Sequence, residues 1–204
     1  MNRRGALTVL AFLAAGVVIG AFATNYIHSS PSAIASKTSS DNNGGSPVVD
    51  INLTTVAAVG FGEHPNWVGY LPTTYFKVPS NSTLRITINQ QDGASGLRNP
   101  FYGLVRGTVG GTMTVNGKTM SAIDPATLAH SFAVPDLGVN VPLLGVADDA
   151  PAGASNTVVF SFKVPASGIY HWQCFVPCAA GTLYGLGGPM QTLGFMDGQI
   201  EVGS

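Results

Sequence analysis

The sequence predicts an all-β protein, a Greek-key β-sandwich or barrel, preceded by one apolar N-terminal segment. Three observations predict it. Charged residues make up only 9% of the 204 positions, while 26 Gly and 13 Pro punctuate many short apolar runs, which favours strands and turns over amphipathic helices. Several of those runs alternate with a period of two, and no segment after residue 30 sustains a 3.6-residue period. The expected architecture is an antiparallel sandwich or Greek-key barrel of about seven or eight strands.

In chain order, "VVDINLTTVAAVG" alternates as a half-buried strand should, with Val48, Ile51 and Val56 among its β-branched residues. "YFKVPSNSTLRITINQQDG" reads as a strand, a Pro-Ser-Asn-Ser turn and a second strand with Leu84, Ile86 and Ile88 on one face. "FYGLVRGTVGGTMTVNGKTMSAI" predicts a hairpin turning at "VNGK", because Asn-Gly suits the left-handed positions of a two-residue turn. "AHSFAV", "NTVVFSFKV", "GIYHWQC" and "GFMDGQIEVG" complete the strands.

Ahead of this domain, Arg3 and Arg4 precede an uncharged apolar run from Gly5 to Ala23. That length suits a transmembrane helix, and the paired arginines hold its start on the cytoplasmic side. Residues 1–28 are therefore expected to be a membrane anchor, with cleavage as a signal peptide after Ala23 the alternative. Either way the domain is exported; the anchor places it at the cell membrane, single-pass, on the extracytoplasmic side. Residues 29–47, rich in Ser, Asn, Gly and Pro, read as a flexible linker. Residues 48–204 are the domain.

Nine Lys plus Arg against ten Asp plus Glu, with no basic stripe, exclude nucleic acid as a partner. The chain also lacks a Gly-rich phosphate loop, a Gly-x-Ser-x-Gly elbow and a His-Glu-x-x-His motif, so the usual nucleotide and hydrolase chemistries lack their parts.

The residues that can carry chemistry are soft donors. His130 opens an apolar strand; Cys174 ends another, with Cys178 in the loop beyond; Met190 lies in that loop and Met196 at the start of the last strand. Imidazole, thiolate and thioether together suit copper, whereas calcium and magnesium want oxygen donors and structural zinc wants four Cys or His at close spacing. The cysteine pair alone leaves two readings open, a metal site or a Cys174–Cys178 disulfide, since exported cysteines commonly pair. His28 falls in the linker, His64 reads as an exposed loop residue, and strand alternation turns His171 away from Cys174.

"AHSFAVPDLGVNVPL" followed by "VPASGIYHWQCFVPC" resembles the copper domain of cytochrome c oxidase subunit II, whose first histidine sits in a His-Ser-Phe or His-Ser-Trp motif and whose cysteines are spaced Cys-x-x-x-Cys. The closing "MDGQIEV" resembles the last strand of the blue copper proteins, the cupredoxins. The resemblance spans roughly residues 75–204, with an insertion near 93–127. It implies a cupredoxin-like fold and a copper cofactor held by His130, Cys174, Cys178 and Met196, with Met190 in reserve. The sequence departs from it at one point: both branches carry a second histidine between the cysteine and the methionine, and here its place in the oxidase pattern is held by Thr182.

The resemblance implies one-electron transfer in a respiratory chain, with a cytochrome, copper protein or terminal oxidase as redox partner, rather than a stand-alone enzyme. Phe132, Phe175, Leu186 and Pro189 are expected to form an apolar docking rim. The alternatives are a copper-binding chaperone and a metal-free cupredoxin-fold domain with a Cys174–Cys178 disulfide.

Overall fold

Alternation in "VVDINLTTV" becomes a two-faced strand: Val49, Ile51 and Leu53 are buried, while Asn52 between them is exposed. The same rule repeats through a computed structural model that describes residues 46–56, 67–177 and 188–203, together with strand pairing at 33–34 and 38–39. In chain order the strands are β1 (Ala33–Ile34), β2 (Thr38–Ser39), β3 (Val48–Val56), β4 (Gly69–Leu71), β5 (Tyr75–Pro79) and β6 (Thr83–Gln90). They continue with β7 (Met113–Val115), β8 (Lys118–Met120), β9 (Leu128–Val134), β10 (Val139–Leu144), β11 (Asn156–Lys163), β12 (Gly168–Gln173) and β13 (Asp197–Gly203). Among the described residues the helical pieces are short 3₁₀ turns, and no helix is long and apolar enough to cross a membrane.

One sheet runs β1-β5-β13-β12-β9-β10 and the other β2-β3-β6-β11-β7-β8, with β4 beside β3. The all-β architecture is as expected, but the antiparallel pairing is corrected in part, because β3 pairs parallel with β6 and β5 parallel with β13 while most other neighbours are antiparallel. The cause is the Pro-Ser-Asn-Ser turn: it carries the chain from β5 in one sheet to β6 in the other instead of folding the two strands together. Asn81 sits at its corner with φ of 55°, a left-handed conformation that asparagine tolerates well. The "VNGK" hairpin forms between β7 and β8, with Asn116 and Gly117 at φ of 51° and 81°, as a type I′ turn requires.

Two dipeptides of the stretch read as a linker, β1 and β2, pair at the edges of the two sheets, and Ser32–Ser204 forms one compact unit. The apolar run Gly5–Ala23 lies outside the described residues.

The core between the sheets centres on Trp172. Its ring stacks on Phe132 at 4.6 Å and on Phe76 at 5.7 Å and meets Tyr70 edge-on at 5.2 Å. Its indole N–H donates to the Thr74 carbonyl at 3.0 Å, which satisfies the one polar atom of a fully buried side chain. Across β13, Gly198 leaves room for this ring: a Cβ there would come within 2.6 Å of the indole.

The insertion near 93–127 is fastened to the sandwich. Arg106 exchanges backbone hydrogen bonds with Asn140 of β10, and the Asn140 side-chain amide donates to the carbonyls of Tyr102 and Leu104 at 3.4 and 2.8 Å. Gly107, at φ of 68°, lets the backbones meet; a Cβ there would lie 2.6 Å from the Gly138 carbonyl oxygen.

Candidate metal centre

β9 is buried along its whole length, and it carries "AHSF" into the interior. Period-two alternation in β12 puts Trp172 and, just past the strand, Cys174 on the buried side. The two strands meet at Gln173 and Ala133, which brings His130 and Cys174 together. His130 Nδ1 stands 4.0 Å from Cys174 Sγ. Both side chains are almost completely buried.

The thiol is held by its surroundings. The Ser131 backbone N–H donates to Sγ at 3.4 Å, the thiol donates to the Val176 carbonyl at 3.3 Å, and the Ser131 hydroxyl oxygen accepts from Phe175 N–H at 2.9 Å. Ser131 therefore clamps the Cys174 loop from two sides. On the far face of the imidazole, Nε2 is 2.9 Å from Asp92 Oδ2. Burial pulls the His130 pKa down, but hydrogen bonds to Asp92 and Cys174, with their charges, overcome it and carry it up to about 9.

The methionines arrive ahead of the last strand, Met190 in a 3₁₀ turn (Pro189–Gln191) and Met196 immediately before β13. The Cys174 N–H donates to the Met196 carbonyl at 2.9 Å, and Met196 N–H donates to Pro189 at the same distance, so residues on both sides of the loop are tied to the Cys174 segment. Gln173 donates to the Met190 carbonyl at 3.5 Å. Met190 and Met196 are both buried in the core cluster. Cys178, His64, Leu186, Thr182 and His28 lie outside the described residues.

His171 faces elsewhere, as alternation requires. Its Nε2 meets Asp197 Oδ1 at 2.6 Å with 44% of its side chain exposed. Burial raises the Asp197 carboxyl above its usual range, and the His171 contact opposes this.

The docking rim is corrected. Phe132 is fully buried beneath Trp172 and Pro189 is buried too, so neither can present a face to a partner. Phe132 is drawn inward because it packs between the sheets, and Pro189 is buried at the start of a short 3₁₀ turn. Phe175 is half-buried and stacks on Tyr102 of the insertion at 6.5 Å.

Asp92 was not found from sequence. "QQDG" reads as the polar end of a strand, and nothing in its spacing links it to a histidine 38 residues later.

The donors fit a soft metal ion in kind and in spacing. Metal–nitrogen and metal–sulfur bonds of about 2.0 and 2.3 Å together span up to about 4.3 Å, and the observed Nδ1–Sγ distance is 4.0 Å. Neither atom would need to move far. Among the described residues no group of three His, Cys, Asp or Glu side chains gathers where it could hold a metal ion.

No protein-family model matches the chain, and no curated protein matches it. Among solved structures it is similar to a haem-copper terminal oxidase dimer determined by cryo-electron microscopy, at 13% identity and a TM-score of 0.36, over 98% of this chain and 97% of that one. It is also similar to rusticyanin from Thiobacillus ferrooxidans, at 16% identity and a TM-score of 0.29, over 83% of this chain and 86% of that one. A third is a multi-copper oxidase from Pediococcus acidilactici, at 10% identity and a TM-score of 0.33, over 83% of this chain and 28% of that one. The chain's own topology is a sandwich of two mixed sheets, with parallel β3·β6 and β5·β13 pairs.

Proposed function

We propose that this is a membrane-anchored, extracytoplasmic copper protein that passes single electrons in a respiratory chain. The observation that carries the reading is the 4.0 Å approach of His130 Nδ1 to Cys174 Sγ, with Met196 tied to Cys174 by a 2.9 Å hydrogen bond. Bound there, copper would supply a one-electron Cu(II)/Cu(I) couple.

The chain's own residues do the rest. His130 and Cys174 would bind the ion, Cys178 is the further thiolate candidate, and the Met196 and Met190 thioethers complete a soft set. Ser131 fixes Sγ through its N–H and the following loop through its hydroxyl. Trp172 and Phe132 keep water out and hold β9 against β12. A cage that rigid changes little between oxidation states, so electron passage costs little rearrangement. The run Gly5–Ala23, with Arg3 and Arg4 before it, would hold the domain at the outer face of the membrane. Its partner would be a cytochrome, another copper protein or a terminal oxidase.

The test uses the full chain in detergent, loaded with Cu(II), with Cys174→Ser and Cys178→Ser variants. The reading expects an intense thiolate-to-copper absorption with a matching EPR signal, abolished in Cys174→Ser. A spectrum that survives Cys178→Ser moves that residue out of the ligand set. Absence of bound copper with a quantitative Cys174–Cys178 disulfide overturns the reading. Retention of the chain in membranes after an alkaline carbonate wash tests the anchor.

The lack of a histidine between Cys178 and Met196 favours a second reading, a carrier that holds Cu(I) weakly and hands it on. A colourless Cu(I) protein that transfers its metal to an acceptor and shows no reversible couple would select it.

A further inference from the structure

Asp92 is locked in place before it reaches His130. Its N–H donates to Gln90 Oε1 at 3.1 Å, and its carbonyl accepts from Gln90 Nε2 at 2.7 Å and from Val146 N–H at 2.8 Å. Gln90 is fully buried at the end of β6, and its Oε1 also accepts the Thr55 hydroxyl at 2.5 Å. Thr55, on β3 and likewise fully buried, in turn accepts from Gln91 N–H at 2.9 Å. Buried amides and hydroxyls are costly to strand, and these partners fix both backbone groups of the residue that carries the carboxylate. The polar line starts in one sheet and ends at His130 in the other.

We propose that Thr55, Gln90 and Asp92 form a positioning strut that sets the His130 ring, so that Asp92 takes the Nε2–H and leaves Nδ1, the nitrogen facing Cys174, as the one that binds copper. The inference rests on the copper reading above. A neutral imidazole carries one N–H, and a carboxylate hydrogen-bonded at one nitrogen fixes which side that is. Asp92 acts here through His130 and does not touch the ion. Its fixed negative charge has a second effect: it favours the more positive oxidation state of a metal bound to the same ring. Positioning and charge are separable, because asparagine keeps an acceptor oxygen at the same place and loses only the charge.

The experiment compares the full-length wild type with Asp92→Ala and Asp92→Asn, each checked for folding by near-ultraviolet circular dichroism. Cu(I) affinity is measured by competition with bathocuproine disulfonate, the His130 Nε2–H by proton–nitrogen NMR of the diamagnetic Cu(I) form, and the reduction potential by titration. The strut expects a solvent-protected Nε2–H in the wild type. It expects Asp92→Ala to lose that signal and to bind Cu(I) about 10- to 100-fold more weakly, the usual cost of removing such a partner. Asp92→Asn should restore most of the affinity and the protected proton while shifting the potential upward. An Asp92→Ala chain with unchanged affinity and an unchanged Nε2–H overturns the strut while leaving copper binding standing. An Asp92→Asn chain as weak as Asp92→Ala overturns the positioning role in favour of charge alone. A wild type that binds no copper overturns the copper reading and the strut's role with it.

Discussion

The backbone N–H of Cys174 donates to the carbonyl of Met196 across 2.9 Å, joining the end of β12 to the residue that introduces β13. This bond places a thiol and a thioether residue side by side without asking anything of the methionine side chain. Packing and ligation by Met196 can therefore be separated. Met196→Leu conserves volume and should cost less than about 1.5 kcal/mol, whereas Met196→Ala should cost about 2–5 kcal/mol because the side chain is fully buried. Urea unfolding of the metal-free chain measures both. A copper spectrum that changes in Met196→Leu, at nearly unchanged stability, identifies the sulfur as a donor.

Gly198 faces the Trp172 indole and the Thr74 carbonyl with no space for a Cβ. Gly198→Ala should destabilise the domain by about 1–3 kcal/mol through overpacking. Trp172 fluorescence, followed through a denaturant titration, reports the shift in midpoint. An unchanged midpoint would mean that β13 can retreat from the ring at no cost.

The metal-free protein should lose stability as pH rises from about 6.5 through about 9. The His130 pKa is raised above its unfolded value of 6.5 to about 9 in the folded state, so the folded chain binds the proton more tightly. That contribution is complete below the unfolded pKa and disappears as the folded group deprotonates. Unfolding midpoints measured at intervals between pH 6 and pH 10 should fall across this window in the wild type. The slope should flatten in His130→Gln; an identical slope in both would assign it to another group.

Asn140 is buried, and its amide holds the carbonyls of Tyr102 and Leu104. Asn140→Leu removes both bonds and should loosen the insertion while leaving β9 and β12 in place. Trypsin should then cleave after Arg98 or Arg106 many times faster than in the wild type. Equal cleavage rates would show that the Arg106 backbone pairing with residue 140 suffices by itself.

Patterning made the strands legible: "NTVVFSFKV" and "GIYHWQC" emerge as β11 and β12, the short apolar run "AHSFAV" as the fully buried β9, and "VNGK" turns as its Asn-Gly dictates. The pairing partners were not legible. A strand's own residues specify which side is buried, but whether the next turn folds back or crosses to the other sheet is decided by packing between distant segments. Thus "VPSNSTL" gave no sign that β5 and β6 part company. The site divides in the same way. His130, Cys174 and Met196 sit in recognisable strings and the structure brings their segments together, whereas Asp92 joins them through a fold-dependent contact between residues 38 apart. Phe132 misled because an aromatic two residues from a ligand candidate looks like a rim, while in a strand buried on both faces it can only be core.

β13 lies between β5 and β12, so it completes the middle of its sheet rather than an edge. It also follows every other strand in sequence. Until it inserts, β5 and β12 have no bridge between them, and the Cys174 N–H lacks its Met196 acceptor. Closure of this sheet and the meeting of the Cys174 and Met196 segments therefore depend on one and the same strand: whatever displaces β13 opens the sheet and parts the two segments together.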